Sequence, residues 1–300
     1  MSGQKILLLG STGQLGQTLK QALKKDYVLT EINRPELVFL DKGGLKEKIR
    51  KLNPQIIINS SAFTAVDLAE KKRKEAEIAN FNGPSFLAKI AKELDSLLIH
   101  FSTDYVFNGF KKQAYKETDK CNPLNVYGET KRRGELAILE SNCKCLILRT
   151  GWVYSHLRSN FLLTILKLAS SKSTIKVVDD QFGSPTSTEQ ISLICLEFTK
   201  KYLKGDFKDF GLFHLSALGK TSWYGFASEI LDQAEKLGFD LILSKENIVP
   251  VTSEEYGAEA MRPKNSFLDV SKLLSLIDVD LFTWQAELSK VLKKVDLNRL

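Results

Sequence analysis

The junction between a short apolar run and three evenly spaced glycines near the start of the chain constrains the fold more than any other stretch. Residues 6–9 are continuously apolar and end at Gly10, after which come Ser11, Thr12, Gly13, Gln14, Leu15 and Gly16. An uninterrupted apolar run of this length is how a strand buried on both faces of a parallel sheet reads. Beyond the glycines, Leu15, Leu19, Ala22 and Leu23 recur at helical spacing. In a G-x-x-G-x-x-G turn between strand and helix, one glycine permits the tight turn and one lets backbone approach a pyrophosphate. The third lets the helix pack closely on the strand. The free N–H groups of the helix start then face the phosphates. Gly10, Thr12, Gly13, Gln14, Leu15 and Gly16 are therefore candidate cofactor-binding residues; a glycine-rich turn without a ligand is the alternative.

The alternation continues along the chain. Residues 27–32, 56–59, 97–101, 145–148 and 211–215 read as strands, and 44–52 and 69–93 as helical territory. Strands and helices alternating through short loops imply βαβ units, hence an α/β fold with a doubly wound, mostly parallel sheet of Rossmann type. The regularity weakens after Thr150, where helix patterns at 160–169 and 221–237 are separated by irregular stretches such as 179–186. That half reads as a smaller substrate lobe interleaved with returning elements of the sheet. The expected division is 1–150 with 187–217 for the dinucleotide-binding domain, and 151–186 with 218–300 for the substrate lobe. Ligands in such folds bind beyond the carboxyl ends of the strands.

Composition narrows the function classes. A chain of 300 residues that is 43% hydrophobic and 26% charged buries a sizeable core and is neither disordered nor collagen-like. The net charge of +7 is spread along the sequence, and its densest cluster, Lys71-Lys72-Arg73-Lys74, is interleaved with Glu70, Glu75 and Glu77. This is a solvated helix face, and no nucleic-acid partner is expected. Cys121, Cys143, Cys145 and Cys195 have no His at ligand spacing and read as reduced, inert thiols. The first apolar run is too short for a signal sequence, and no segment is long enough to span a bilayer. The expectation is a cytoplasmic protein without a membrane partner.

Candidate catalytic residues lie further on. Tyr127 and Lys131 stand at i and i+4 in a helical pattern, on one face. An ammonium beside a phenol stabilises the phenolate and is expected to pull its pKa down, making Tyr127 a general acid. Thr103 follows the strand at 97–101, where its hydroxyl can bond a substrate carbonyl oxygen as charge develops there; a cap on the following turn is the alternative. At the end of the second strand, Glu31 is followed by Ile32, Asn33 and Arg34. Arg34 could pair with a 2′-phosphate, which points to NADPH, or be a solvated loop residue, which leaves NADH open.

Seven ordered motifs extend these readings over nearly the whole chain: Gly13-Gln14-Leu15-Gly16, Ala62-Phe63-Thr64-Ala65-Val66-Asp67, residues 102–107, residues 123–131, Arg149-Thr150-Gly151-Trp152-Val153-Tyr154, residues 180–186, and Arg262-Pro263. With them the chain resembles the extended short-chain dehydrogenase/reductase superfamily and, within it, the dTDP-4-dehydrorhamnose reductase family. The resemblance implies that Gly13, Gln14 and Leu15 meet the cofactor pyrophosphate, that Asp41 lies near the adenine, and that Ala62, Phe63 and Thr64 line the nicotinamide-ribose side. It further implies Tyr127 as proton donor, Lys131 as the holder of the nicotinamide ribose, and Thr103 with Asp104 as sugar contacts. Trp152 is implied as a substrate-stacking residue and Arg262 as the contact with a diphosphate. A buried indole and a loop arginine paired with a local carboxylate are their respective alternatives.

The implied reaction is delivery of hydride from NAD(P)H to the C4 ketone of dTDP-4-dehydro-6-deoxy-L-mannose while Tyr127 protonates the forming alkoxide, giving dTDP-L-rhamnose. Two alternatives stand: a non-catalytic regulatory subunit of the kind a relative of this fold provides to methionine adenosyltransferase, and a reductase of another nucleotide-linked 4-keto sugar. Some family members bridge a homodimer with magnesium held by carboxylates. Glu189 matches one such position, but Thr18 stands where another carboxylate is expected, so no metal is expected here. Dimerisation without the ion stays open.

Overall fold

A computed structural model of the chain describes residues 3–33 and 42–296. Among them, β1 (Lys5–Leu9), β2 (Val28–Ile32), β3 (Ile56–Asn59), β4 (Leu97–Thr103), β5 (Cys145–Thr150) and a last strand, Gly211–His214, form one sheet. The order across it is Gly211–His214, β5, β4, β3, β1, β2, and every neighbouring pair is parallel. All of β3, β4 and β5 is buried, because helices cover both faces. The sheet is the doubly wound α/β arrangement that the alternation of elements implies.

β4 and β5 each run two residues past their apolar patterns. The extensions, Ser102-Thr103 and Arg149-Thr150, are buried polar residues at the carboxyl edge. They remain in the sheet because Ser102 and Arg149 both bond the Glu135 carboxylate.

One face of the sheet carries the helices Gln14–Leu23 and Thr188–Lys204, which bury Leu19, Leu23, Ile191, Ile194 and Phe198. The other carries Lys42–Leu52, Gly83–Glu93 and Val126–Glu140, with Leu45, Ile49, Leu87, Ile90 and Ile138 inward. Each such side chain contributes about 1.5–3 kcal/mol on full burial. The chain turns from β2, on one side of β1, to β3 on the other, and this reversal opens a crevice beyond the ends of β1 and β3.

The helical territory at 69–93 is not one helix. It breaks into Val66–Lys71, Arg73–Glu77, a π-helical turn at Ile78–Asn82, and Gly83–Glu93. A second core gathers Tyr154, Leu162, Leu166, Phe226, Ile230, Trp284 and Leu288. Three two-stranded pairs support it: Val153–Tyr154 with Thr186–Ser187, Ile175–Val178 with Ile248–Val251, and Phe182–Gly183 with Thr221–Ser222. Val270, Leu273, Ile277 and Leu281 pack into the first core. Among the described residues, no helix is long and apolar enough to cross a membrane.

Candidate active site

The glycine turn closes the end of β1. Gly10 has φ +80°, and a Cβ there would lie 2.8 Å from the Ser61 backbone nitrogen. A Cβ on Gly16 would lie 2.1 Å from the Gly10 carbonyl oxygen, so the helix sits hard against the turn. Gly13 differs: a Cβ there meets only the Gly10 carbonyl oxygen, at 3.5 Å. Among the described residues nothing else crowds it, so the space beside it is open to a ligand. Gly13 is the N-cap of Gln14–Leu23 and brings no side-chain cap; the first-turn N–H groups are left without intrahelical acceptors. This open, donor-lined cradle fits a pyrophosphate.

The side chains of the motif are occupied elsewhere. Gln14 donates to the Val153 carbonyl at 3.1 Å and accepts from Ser155, and Leu15 packs on the first core. The Thr12 amide donates to Asn33. Glu31 accepts from Ser11 and pairs with Lys20 at 2.9 Å, and these partners hold its carboxyl below the usual range against the opposing effect of burial. Arg34 and Asp41 lie outside the described residues.

Ala62, Phe63 and Thr64 follow β3 at the crevice. Asn80, buried in the π-helical turn, accepts from the Phe63 N–H at 2.9 Å and donates to its carbonyl at 3.0 Å. It also donates to Thr130 at 3.2 Å. One amide thus ties this loop to the helix that carries Tyr127 and Lys131, and π-turns recur where a helix is bent to functional use.

That helix, Val126–Glu140, is capped by Asn125, whose Oδ1 accepts from the Gly128 N–H at 2.8 Å. Gly128 and Gly134 let it approach closely, since Cβ atoms there would lie 2.2 Å from the Tyr105 and 2.1 Å from the Asn80 carbonyl oxygens. Tyr127, Lys131 and Glu135 recur every four residues along it. Lys131 is 2% exposed; its Nζ donates to the Phe101 carbonyl and lies 3.4 Å from His100 Nε2. Burial brings its pKa down to about 8, opposed by Glu135. Glu135 is held charged by Arg149, Ser102 and Arg132 despite burial.

The expectation that Lys131 pulls the phenol's pKa down is corrected by this geometry. Burial pushes Tyr127 up to about 12, the Asp104 charge adds to the rise, and a hydrogen bond with Thr103 opposes it. The i and i+4 spacing places both side chains on one face, but the ammonium turns toward β4. Tyr127 is consequently a protonated phenol beside Thr103 and Asp104. Thr103 also donates to Asp104 at 3.0 Å and caps the turn Asp104–Val106 through the Tyr105 N–H. Buried Asp104 is pushed up to about 6, while hydrogen bonds with Ser266 and Thr103 oppose the shift. Gly151 makes room for it, since a Cβ there would lie 2.3 Å from its carboxylate.

Beside this cluster lies a largely apolar cavity of about 630 Å³, walled by Phe161, Val178, Gln181, Trp223, Tyr256 and Arg262. Trp152 is buried and stacks flat on Trp223 at 3.6 Å between centroids; Trp223 forms the wall and Trp152 backs it. Trp152 holds φ +52°, an uncommon backbone state for a large residue, at the junction of the two cores. Arg262 pairs with Asp67 through 2.6 and 3.1 Å contacts and bonds Tyr105, whose ring meets that of Tyr127 edge-on at 6.0 Å. Cavity and phenol are thereby linked.

Glu189 lies 3.2 Å from His156 Nδ1 and 3.4 Å from Lys294 Nζ of its own chain, while Thr18 bonds Thr188. Four residues to which the sequence reading gave no site role join the site: Asn59, Asn80, His100 and Asn125, the last of them within the motif at 123–131. The only signal for His100 and Asn59 is a polar residue inside an otherwise apolar strand.

Comparison with known proteins places this architecture. The sequence profile described as the RmlD substrate binding domain matches residues 4–297. The chain is 39% identical over 295 residues to the dTDP-4-dehydrorhamnose reductase of Escherichia coli (strain K12), covering 97% of each. The crystal structure of the Bacillus anthracis dTDP-4-dehydrorhamnose reductase in complex with NADP superposes with a TM-score of 0.87 at 30% identity, covering 97% of this chain and 99% of that one. A dTDP-4-dehydrorhamnose reductase from Clostridium acetobutylicum gives 0.88 at 32% identity, with the same coverages.

Proposed function

The chain belongs to the dTDP-4-dehydrorhamnose reductase family, and on that premise we propose how its own residues carry out the reduction. The protein is an oxidoreductase that uses a nicotinamide dinucleotide to reduce the C4 ketone of a dTDP-linked sugar, dTDP-4-dehydrorhamnose, in dTDP-L-rhamnose synthesis. When bound, the reduced nicotinamide supplies the hydride. Gly10, Gly13 and the first-turn N–H groups of Gln14, Leu15 and Gly16 hold the pyrophosphate, with Thr12 at the rim. Ala62, Phe63 and Thr64 line the nicotinamide-ribose side, Lys131 holds that ribose, and Arg34 and Asp41 meet the adenosine end.

Tyr127 donates its proton to the substrate oxygen as the ketone becomes an alcohol. The phenol is protonated at ordinary pH, as a free tyrosine is, and burial raises its pKa further. Thr103 bonds the same oxygen, and that bond strengthens as charge develops there. Asp104 contacts the sugar hydroxyls. The apolar cavity takes the thymidine against Trp223 with Trp152 behind it, and Arg262 exchanges part of its contact with Asp67 for the diphosphate.

We assign 1–150 with 187–217 to the dinucleotide and 151–186 with 218–300 to the sugar nucleotide, with Val270, Leu273, Ile277 and Leu281 of the second part packing back into the first core. A cytoplasmic location and a homodimer contact near Glu189 accompany this reading; sedimentation addresses the second.

The observation that carries the proposal is the gathering of Tyr127, Thr103 and Asp104 at the carboxyl end of β4, where Thr103 donates to Asp104 at 3.0 Å and the Tyr127 phenol responds to both. The test is oxidation of NADPH or NADH by the purified protein with dTDP-4-dehydrorhamnose. Turnover with wild type and its collapse in Tyr127→Phe are expected; a wild-type protein that binds cofactor but leaves the sugar unreduced overturns it.

A further inference from the structure

His100 is fully buried in β4 and registers with Asn59 of β3. It lies on the sheet face that carries the Val126–Glu140 helix, two residues before Ser102, which bonds Glu135 of that helix. Asn59 Nδ2 lies 3.1 Å from His100 Nδ1, and Asn59 Oδ1 accepts from the Ser61 N–H at 3.1 Å and from its hydroxyl at 2.5 Å.

This network leaves one consistent assignment of hydrogens. A backbone N–H only donates, so the oxygen of the Asn59 amide must face Ser61 and its NH₂ must face the imidazole. His100 Nδ1 is then an acceptor and carries no proton. Burial and the neighbouring Lys131 charge hold His100 well below the ordinary histidine range, so the ring is neutral and its single hydrogen is on Nε2. That atom lies 3.4 Å from Lys131 Nζ. A donor therefore faces the ammonium where an acceptor would be expected.

We propose that His100, locked by Asn59 as the Nε2–H tautomer, is a positioning residue for Lys131: it denies the buried ammonium an acceptor within the sheet, so that only one hydrogen is held inside and the others turn toward the cofactor cleft. The inner hydrogen is the one donated to the Phe101 carbonyl. With a second acceptor at His100 the lysine would be anchored on the sheet, away from the ribose. The other charged or titratable groups around Lys131 do not supply that acceptor. Glu135, one turn on, is taken by Arg149, Arg132 and Ser102; Tyr127, one turn back, is held by Thr103, and Asp104 faces Tyr127 and Thr103. The Ser61 end of the chain of contacts adjoins the loop of Ala62, Phe63 and Thr64, so the arrangement of the cofactor loop and of the lysine are joined through two side chains.

The inference rests on Lys131 as the ribose-holding group, and the test separates the two. Nitrogen-15 NMR of the intact protein reads the tautomer directly, and its three histidines make assignment by single substitution practical. A neutral His100 protonated at Nε2 is expected at neutral pH; a Nδ1–H ring or an imidazolium overturns the proposal whatever the enzyme's activity. Asn59→Asp keeps the shape but replaces the donor by an acceptor, so the ring must present its Nε2 lone pair to Lys131. The expected result is a rise of about tenfold in the KM for the cofactor, the equivalent of one lost hydrogen bond to a charged group. The basic limb of the pH–rate profile should move to higher pH, because the ammonium gains an acceptor. An Asn59→Asp enzyme with the flipped tautomer and wild-type cofactor KM and pH profile overturns the proposal. Lys131→Met with unchanged cofactor affinity would instead show that the ribose assignment has failed.

Discussion

Arg262 Nη2 donates to Asp67 Oδ2 at 2.6 Å, joining a residue of the cavity wall to the helix Val66–Lys71, which packs beside the start of the catalytic helix. Two further contacts follow the same path: the Ala260 N–H donates to Asp67 at 2.9 Å, and Asn125, the cap of the catalytic helix, donates to the Met261 carbonyl at 2.7 Å. Residues 260–262 are thus a strap fastened beside the catalytic helix, with a half-buried guanidinium at its end. The carboxylate of Asp67 occupies the kind of acceptor position that a diphosphate would take.

Replacement of Arg262 separates grip from chemistry. A contact to the diphosphate, remote from the reacting carbon, is made about equally in ground and transition states. Hydrogen bonds to charged groups are worth about 1.5–3 kcal/mol, so Arg262→Ala should raise the KM for the dTDP-sugar about 10- to 100-fold with little change in kcat. Steady-state kinetics at saturating cofactor measure both. A collapse of kcat at constant KM would place Arg262 in the chemistry.

Tyr127→Phe removes one oxygen and keeps the ring that meets Tyr105 edge-on. Loss of a general acid costs about 10²–10⁴-fold, and single-turnover kinetics should show that loss while cofactor titration stays near wild type. Wild-type turnover in the variant would pass the proton-donor role to Thr103 or Asp104.

Strands were legible where burial on both faces writes an apolar run, as in β1, β3 and β5; the edge strand β2, with Thr30 and Glu31 and little burial, was read from its place in the alternation of elements. Where burial is achieved by pairing polar groups, the pattern is silent. Ser102 and Arg149 extend β4 and β5 because Glu135, 33 and 14 positions away, satisfies them. The π-turn at Ile78–Asn82 has no periodic signature, since its reason is the Asn80 amide on Phe63. Residue types at the site were readable from motifs and spacing, whereas their partners were not. Asp67 and Arg262 are 195 positions apart, and the turn of Lys131 toward β4 depends on the Phe101 carbonyl, which no local spacing reveals.

Removal of divalent cations should leave the protein unchanged. The Glu189 carboxylate is already engaged by Lys294 and by a contact with His156, and among the described residues no group of three or more His, Cys, Asp or Glu side chains is placed to hold a metal ion. Dialysis against EDTA should preserve both activity and sedimentation behaviour. Loss of either, restored by magnesium, would mean that Glu189 exchanges its ion pairs for a cation.

Stability should fall as pH falls from 6.5 to 5.5, and the slope reports three buried groups. His214 is held down to about 3 by burial and by the Arg149 charge, and His100 lies well below its ordinary value. Below pH 6.5 the unfolded chain therefore binds protons at both positions that the native state refuses, which costs about 1.4 kcal/mol per pH unit for each full proton. Asp104 acts in the opposite sense. Its folded pKa of about 6 lies above the ordinary value of 3.8, so between these the native state binds the extra proton and offsets part of the histidine loss. Carboxylates with depressed values, such as Glu135, release their stabilisation only at lower pH. Urea midpoints at half-unit steps should accordingly show a loss of roughly one proton's worth per pH unit in wild type. Asp104→Asn should steepen that slope by about half or more, and His214→Asn should flatten it. An Asp104→Asn slope equal to wild type would show that Asp104 titrates as an ordinary carboxylate, and the packing of Gly151 and Ser266 around it would then have to admit water.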